Sequence, residues 1–73
     1  MNIASFYQII GKRIKEIREI RGFSQELLAE KSGISTDYLG KIEVNINNPG
    51  LISLYKIIRG LDVTVEEFFK GIK

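Results

Sequence analysis

The chain has 73 residues, a formal net charge of +2 and neither cysteine nor histidine. The missing residue types exclude disulfides, thiol catalysis and cysteine-ligated zinc, remove the usual acid–base group near neutral pH, and fit a cytoplasmic protein without requiring one. With 44% apolar and 27% charged residues, no apolar run of about 18 residues and no signal-peptide pattern, the composition predicts one soluble globular domain over residues 1–73 that does not enter a membrane.

Apolar side chains at helical spacing predict a first helix over about residues 5–21. The apolar stripe on one face of this helix is formed by Phe6, Ile10, Ile14 and Ile17. Residues 1–4 are expected to form a loose tail, and Gly22 to end the helix. The same helix carries a basic cluster of Lys12, Arg13, Lys15, Arg18 and Arg21. Two interpretations of this cluster stay open: a solvated face with ion pairs to nearby glutamates, or part of a nucleic-acid-binding surface.

A second helix over about 24–31, a glycine turn and a third helix over about 35–44 are predicted next. Ser24 and Ser35 can each cap a helix, because a serine oxygen accepts from the free backbone N–H groups of the first turn. Gly33 lies at the turn between them. The apolar anchors of the third helix are Leu39 and Ile42, and its outward residues are Thr36, Asp37, Tyr38, Gly40 and Lys41. This pattern is typical of a helix-turn-helix motif.

Two closing helices over about 50–60 and 64–70 follow a loop rich in asparagine, proline and glycine. Asn45 is expected to adopt the left-handed conformation that ends the third helix. Thr64 and Glu67 are expected to form a capping box. No extended run of residues alternates between apolar and polar side chains, as a strand would require. We therefore predict an all-α fold of five helices.

Several short motifs occur in a fixed order along the chain. They are REIRG at 18–22, SQELLA at 24–29, GIS at 33–35, KIE at 41–43, Pro49 and LDVTVEEFF at 61–69. Together they resemble the lambda-repressor/Cro-like helix-turn-helix family, also called the XRE family, over about residues 10–69. The resemblance implies a compact five-helix lambda-repressor-like DNA-binding domain with the helix-turn-helix as helices 2 and 3.

The resemblance also implies residue roles. The residues expected to read DNA bases are Thr36, Asp37 and Lys41. Those expected at DNA phosphates are Gln25, Ser35, Tyr38, Asn47 and Asn48. Arg18 and Glu43 are expected to form a structural ion pair that joins helix one to helix three.

For some positions, more than one role stays open. Asp37 is either a charge suited to a helix N-terminus or an acceptor for a cytosine amino group, and Lys41 is either a solvated lysine or a DNA contact. Gly40 either permits close approach to DNA or is tolerated, at a cost of about 1 kcal/mol against alanine. The loop lacks the family's usual basic residues, so phosphate contacts from Asn47 and Asn48 would be neutral and weaker.

The C-terminal region has more apolar side chains than one short helix can bury. One of Phe68, Phe69 and Ile72 is expected in the core, and the others are candidates for a dimer patch that also draws on α-helical residues before them. That interface is predicted to comprise Leu51, Ile52, Tyr55, Phe68, Phe69 and Ile72.

The sequence therefore predicts a transcriptional regulator that binds double-stranded DNA at a near-palindromic operator as a homodimer. It is not expected to be an enzyme, and we expect no cofactor, metal site or small-molecule effector. The competing interpretation is a protein-interaction module such as an antitoxin or adaptor. In its small size and its aromatic closing helices, the chain resembles the controller proteins of restriction–modification operons. Phage Cro-like repressors and antitoxins are the alternatives.

Overall fold

The computed structural model describes residues 1–72, and these residues contain five α-helices joined by short turns and loops. They are α1 (Ile3–Ile20), α2 (Gln25–Ser32), α3 (Thr36–Glu43), α4 (Leu51–Gly60) and α5 (Val65–Phe69). No strand occurs within these residues. The predicted all-α, five-helix fold is therefore confirmed.

The N-terminus differs from the expected loose tail. The Asn2 side chain accepts a hydrogen bond of 2.8 Å from the backbone N–H of Ser5, and α1 accordingly begins at Ile3 rather than Ser5. An asparagine oxygen at this position satisfies a backbone donor that would otherwise lack a partner. The prediction missed this cap because the residues after it are not part of the apolar stripe.

Short-range signals set the other helix ends. Ser24 caps α2, Ser35 caps α3, and Thr64 forms with Glu67 the expected capping box at the start of α5. Asn45 has a φ of 64°, which confirms that an asparagine takes the left-handed conformation after α3. These contacts span only a few residues, which is why the sequence alone predicted them.

The core lies where the helices meet. Its fully buried large side chains are Ile10, Ile14, Leu28, Leu39, Ile42, Ile57, Leu61 and Phe68. Phe68 has no exposed surface, so its predicted place in a dimer interface is wrong. It is instead the aromatic side chain by which α5 closes the core, where burying it stabilises the fold by about 2–3 kcal/mol.

Helices α1 and α3 cross closely at Gly11. A Cβ atom at this position would lie 2.5 Å from the carbonyl oxygen of Ile42, which real side chains do not tolerate. Glycine is therefore needed here for the close approach of two backbones, and α1 continues through it without interruption. This crossing fixes α3 against the longest helix.

Helices α2 and α4 make a second close crossing. A Cβ atom at Gly60 would collide with the hydroxyl oxygen of Ser32. That hydroxyl is buried and has no hydrogen-bond partner within residues 1–72. Small residues on both helices let α2 pack closely against α4. This contact fixes the position of α2, and its N-terminus lies at the surface.

Candidate nucleic-acid interface

The exposed face of α3 brings together the three residues predicted to read bases. The side chains of Asp37 and Lys41 are 77% and 46% exposed, and Thr36 is half-buried beside them. Positions 37 and 41 are one helical turn apart and therefore lie on the same face. Leu39 and Ile42, on the opposite face, are buried in the core and hold the helix in place.

Asp37 and Lys41 bind each other. Lys41 Nζ lies 3.0 Å from Asp37 Oδ2, in an i, i+4 ion pair. The sequence prediction treated the two residues separately, although their spacing is the signal for such a pair. The acidic and the basic group of this face thus partly neutralise each other in the free protein.

Arg18 and Glu43 form a buried ion pair between α1 and the end of α3. Arg18 Nε lies 2.7 Å from Glu43 Oε2, and Nη2 lies 3.1 Å from Oε1. The Glu43 side chain is 1% exposed and that of Arg18 11%. Arg18 also donates to the carbonyl oxygen of Phe23 at 2.8 Å, which ties the turn before α2 to the same guanidinium. The hydrogen bond that Arg18 donates to the Glu43 carboxylate raises the pKa of Arg18 above its ordinary value, so Arg18 stays charged.

Gln25, predicted at a DNA phosphate, has a side-chain partner inside the protein. Its Nε2 donates to Glu43 Oε1 at 3.0 Å, so the amide joins the start of α2 to the end of α3. The side-chain amide also lies over Gly40, where a Cβ atom would be 3.6 Å from Gln25 Oε1. The backbone N–H of Gln25, in the first turn of α2, has no acceptor within its own helix and suits an anion.

The other predicted phosphate contacts differ in their surroundings. Ser35 Oγ accepts from the backbone N–H of Tyr38 at 3.0 Å, which leaves the serine hydroxyl proton free to donate outwards. The Tyr38 hydroxyl lies 3.4 Å from Ser53 Oγ on α4, a long hydrogen bond in a half-buried setting. In the loop after α3, Asn48 is exposed and Asn47 half-buried.

The remaining residues of the predicted dimer interface separate into two groups. Leu51, Ile52 and Tyr55 on α4 are 85%, 74% and 52% exposed, and Tyr55 lines a surface cavity together with Val65 of α5. Phe69 is half-buried against the core, in edge-to-face contact with Phe68. Ile72 lies instead beside Ile9 of α1, where both line another surface cavity. Among the residues of the predicted interface, the most exposed apolar side chains therefore lie on α4.

Across residues 1–72, no helix is long and apolar enough to span a membrane. The same residues contain no group of three or more acidic side chains placed to hold a metal ion.

Comparison with known sequences places the motif in a wider context. A sequence model of the helix-turn-helix family matches residues 14–68. The HTH-type transcriptional regulator SinR of Bacillus subtilis is 45% identical over 58 residues, which cover 78% of this chain and 52% of SinR. The HTH-type transcriptional regulator SutR of Escherichia coli is 39% identical over 67 residues, 92% of this chain and 36% of SutR. The chain thus spans about half the length of SinR, or less in the case of SutR.

Solved structures match along most of their own length. The restriction–modification controller protein C.AhdI of Aeromonas hydrophila has a TM-score of 0.82 at 34% identity, covering 89% of this chain and 98% of that one. The controller protein C.Esp1396I, solved as a tetramer in complex with its natural 35 base-pair operator, has a TM-score of 0.87 at 34% identity. That match covers 96% of this chain and 90% of the controller protein.

Proposed function

The chain belongs to the XRE-type helix-turn-helix family, and from this premise we propose that it is a sequence-specific DNA-binding transcriptional regulator. The observation that carries the proposal is the face of α3. Buried apolar residues on the opposite side of α3 and the Arg18–Glu43 pair at its end fix the helix to the core. The other side of α3 exposes Asp37 and Lys41. A helix held in this way can enter a major groove with its polar side chains at base edges.

Within this proposal, α3 supplies base contacts from Thr36, Asp37 and Lys41. Lysine donates to guanine, aspartate accepts from cytosine, and threonine contacts either a polar edge or the thymine methyl group. The start of α2 meets a phosphate through the backbone N–H of Gln25, since its side chain already binds Glu43. Ser35, Tyr38, Asn47 and Asn48 remain the other proposed phosphate contacts, which set the position of the protein without reading sequence.

We further propose that the regulator acts as a homodimer through the exposed apolar face of α4 and its neighbours. Leu51, Ile52 and Tyr55 are exposed apolar side chains on one helix, and a contiguous apolar patch on a surface favours a contact with another protein. Phe69 and Ile72 remain proposed interface residues, apart from the face of α4. Two-fold pairing would place two copies of α3 about 34 Å apart, in successive major grooves, and so select a near-palindromic site. The neighbour C.Esp1396I, which is a tetramer on its operator, supports assembly on DNA.

DNA binding is tested by fluorescence anisotropy with labelled duplexes selected from a random pool. The selected sequence should bind at least about a thousandfold more tightly than unrelated DNA. Each phosphate that the protein neutralises should lower the affinity about threefold to fourfold between 50 and 200 mM salt, so binding should weaken clearly over this range. Selection of no sequence, together with a flat salt response, would refute the proposal and leave a protein-binding role as the alternative.

The dimer is tested by sedimentation equilibrium of the wild type and two lysine variants. Ile52→Lys should shift the protein to monomers and weaken operator binding. Ile20→Lys is the matched control, because Ile20 is 77% exposed on α1 and the substitution adds the same charge. Equal masses for the two variants would exclude Ile52 from the interface.

A further inference from the structure

Asp37 is an acidic residue on the exposed face of α3, the face proposed to contact DNA. A carboxylate repels the phosphates that a DNA-binding face must approach, whereas a lysine without a neighbouring carboxylate attracts them. Of the four ion pairs within residues 1–72, the Asp37–Lys41 pair is the one with both members on α3. The two groups lie 3.0 Å apart on the surface proposed to meet base edges.

Pairing changes what Lys41 can do. A lysine ammonium is a compact point charge on a flexible stem, and on its own it binds any phosphate within reach. With Asp37 one turn away, a move of Lys41 to a phosphate separates the ion pair and leaves the carboxylate near the DNA backbone. Exposed i, i+4 pairs are weak, so the pair opens readily where both groups find better partners.

The two kinds of base pair arrange their polar groups differently in the major groove. On the edge of G·C, guanine presents two adjacent acceptors, O6 and N7, and the paired cytosine presents the N4 donor. An A·T pair also has two acceptors and one donor, but its adenine amino group lies between adenine N7 and thymine O4, so an ammonium finds no two adjacent acceptors. The opposite charges of Lys41 and Asp37 match the neighbouring acceptors and donor of a G·C pair.

We propose that Asp37 determines specificity by keeping Lys41 from binding phosphates, and that the pair opens fully only against a G·C base pair in the operator. This inference rests on the proposed function and adds the identity of one base pair and the reason for the acidic residue. It also makes the effect of Asp37 on DNA of unrelated sequence depend on Lys41, whereas simple repulsion between the carboxylate and phosphates would persist without Lys41.

The decisive variant is Asp37→Asn, measured against operator and unrelated DNA over a salt series. With Lys41 released, binding to unrelated DNA should strengthen about fivefold to tenfold at 0.1 M salt, and its logarithmic salt slope should steepen by about 0.9 for each subunit bound. Operator affinity should not rise in parallel, so the ratio of operator to unrelated binding should fall about tenfold. The second variant, Asp37→Asn with Lys41→Met, should lose the gain and return the slope to that of the wild type.

Glu19→Gln is the matched control, since it adds the same charge on the exposed surface of α1. It should change both affinities by one common factor and leave the salt slope as it is. Circular dichroism of every variant establishes that the helices are intact.

The outcomes separate the two levels of the hypothesis. If the wild type binds its operator with a steep salt response but Asp37→Asn behaves like Glu19→Gln, this inference is overturned and the proposed function stands. If the wild type shows no salt-dependent binding to any duplex, both are overturned. Replacing each G·C pair of the operator by A·T should include one position where the wild type loses more affinity than Asp37→Asn, and the absence of any such position contradicts the G·C assignment.

Discussion

Replacing Glu43 by alanine removes a carboxylate that connects three elements of the fold. Glu43 accepts two hydrogen bonds from Arg18 on α1, at 2.7 and 3.1 Å, and one from Gln25 on α2 at 3.0 Å. Its side chain is 1% exposed. In Glu43→Ala the guanidinium of Arg18 stays buried without its counter-charge, and the side-chain amide of Gln25 loses its acceptor.

The expected loss of stability is large for a domain of this size. Removing one partner of a buried ion pair costs about 3–5 kcal/mol, mostly because the remaining charge is uncompensated. A domain of this length has a total stability of roughly 4–11 kcal/mol. At about 4–8 °C per kcal/mol, the melting temperature should fall by roughly 12–40 °C. Glu43→Ala should therefore lose a large share of its total stability.

Urea unfolding followed by circular dichroism measures this loss, and the chain offers a matched control. Glu16 pairs with Arg13 at the same distance, 2.7 Å, but its side chain is 51% exposed. Glu16→Ala should cost less than about 1 kcal/mol, since water already screens that pair. The double substitution Arg18→Met with Glu43→Leu should recover most of the stability lost in Glu43→Ala, because it leaves no buried charge. If Glu43→Ala is no less stable than Glu16→Ala, the assignment of a buried, structural pair is refuted.

Three further substitutions test other parts of the fold. Gly11→Ala should destabilise the protein by about 1–3 kcal/mol in urea unfolding, since the new methyl group would collide with the backbone at Ile42; unchanged stability would contradict the close crossing. Gly40→Ala has room for its methyl group and should stabilise the protein by up to about 1 kcal/mol; a simultaneous loss of operator affinity would favour glycine as a requirement for close approach to DNA, and unchanged affinity would favour tolerance. The backbone N–H of Thr64 donates to Glu67 and lowers its pKa below the ordinary value of 4.5, so this contribution to stability is present above that value and is lost as pH falls through the lowered one. Glu67→Gln should therefore reduce the change in unfolding free energy between about pH 6 and pH 3, and an identical pH profile for variant and wild type would refute it.

Features set by neighbours in sequence were predictable, and features set by contacts between helices were not. The serine caps and the capping box depend on residues three positions apart, and the buried stripes follow the helical period. Phe68 and Gly11 depend instead on which helix lies opposite. An apolar residue in a short terminal helix is equally compatible with core and interface, and a glycine within a helix does not reveal the backbone that approaches it.

The candidate site follows the same division. The exposed residues of α3 could be predicted from its apolar anchors, and the Asp37–Lys41 pair had an i, i+4 signal that was overlooked. The side-chain partner of Gln25 could not be predicted, because it requires the end of α3 to lie against the start of α2. A glutamine in that position is equally suited to a phosphate and to a carboxylate until the fold brings one of them within reach.

The contact between Gln25 and Glu43 links the stability of the fold to the proposed reading of DNA. Glu43 ends the helix that carries Asp37 and Lys41, and the amide that it binds lies over Gly40 on the same helix. We therefore expect a change in the buried pair to alter how α2 packs against α3. A base contact depends on placement to within about 0.5 Å, whereas packing tolerates more. Substitutions in this network should consequently reduce discrimination between DNA sequences before they reduce helix content, so the proposed reading of DNA by α3 should depend on residues beyond its exposed face.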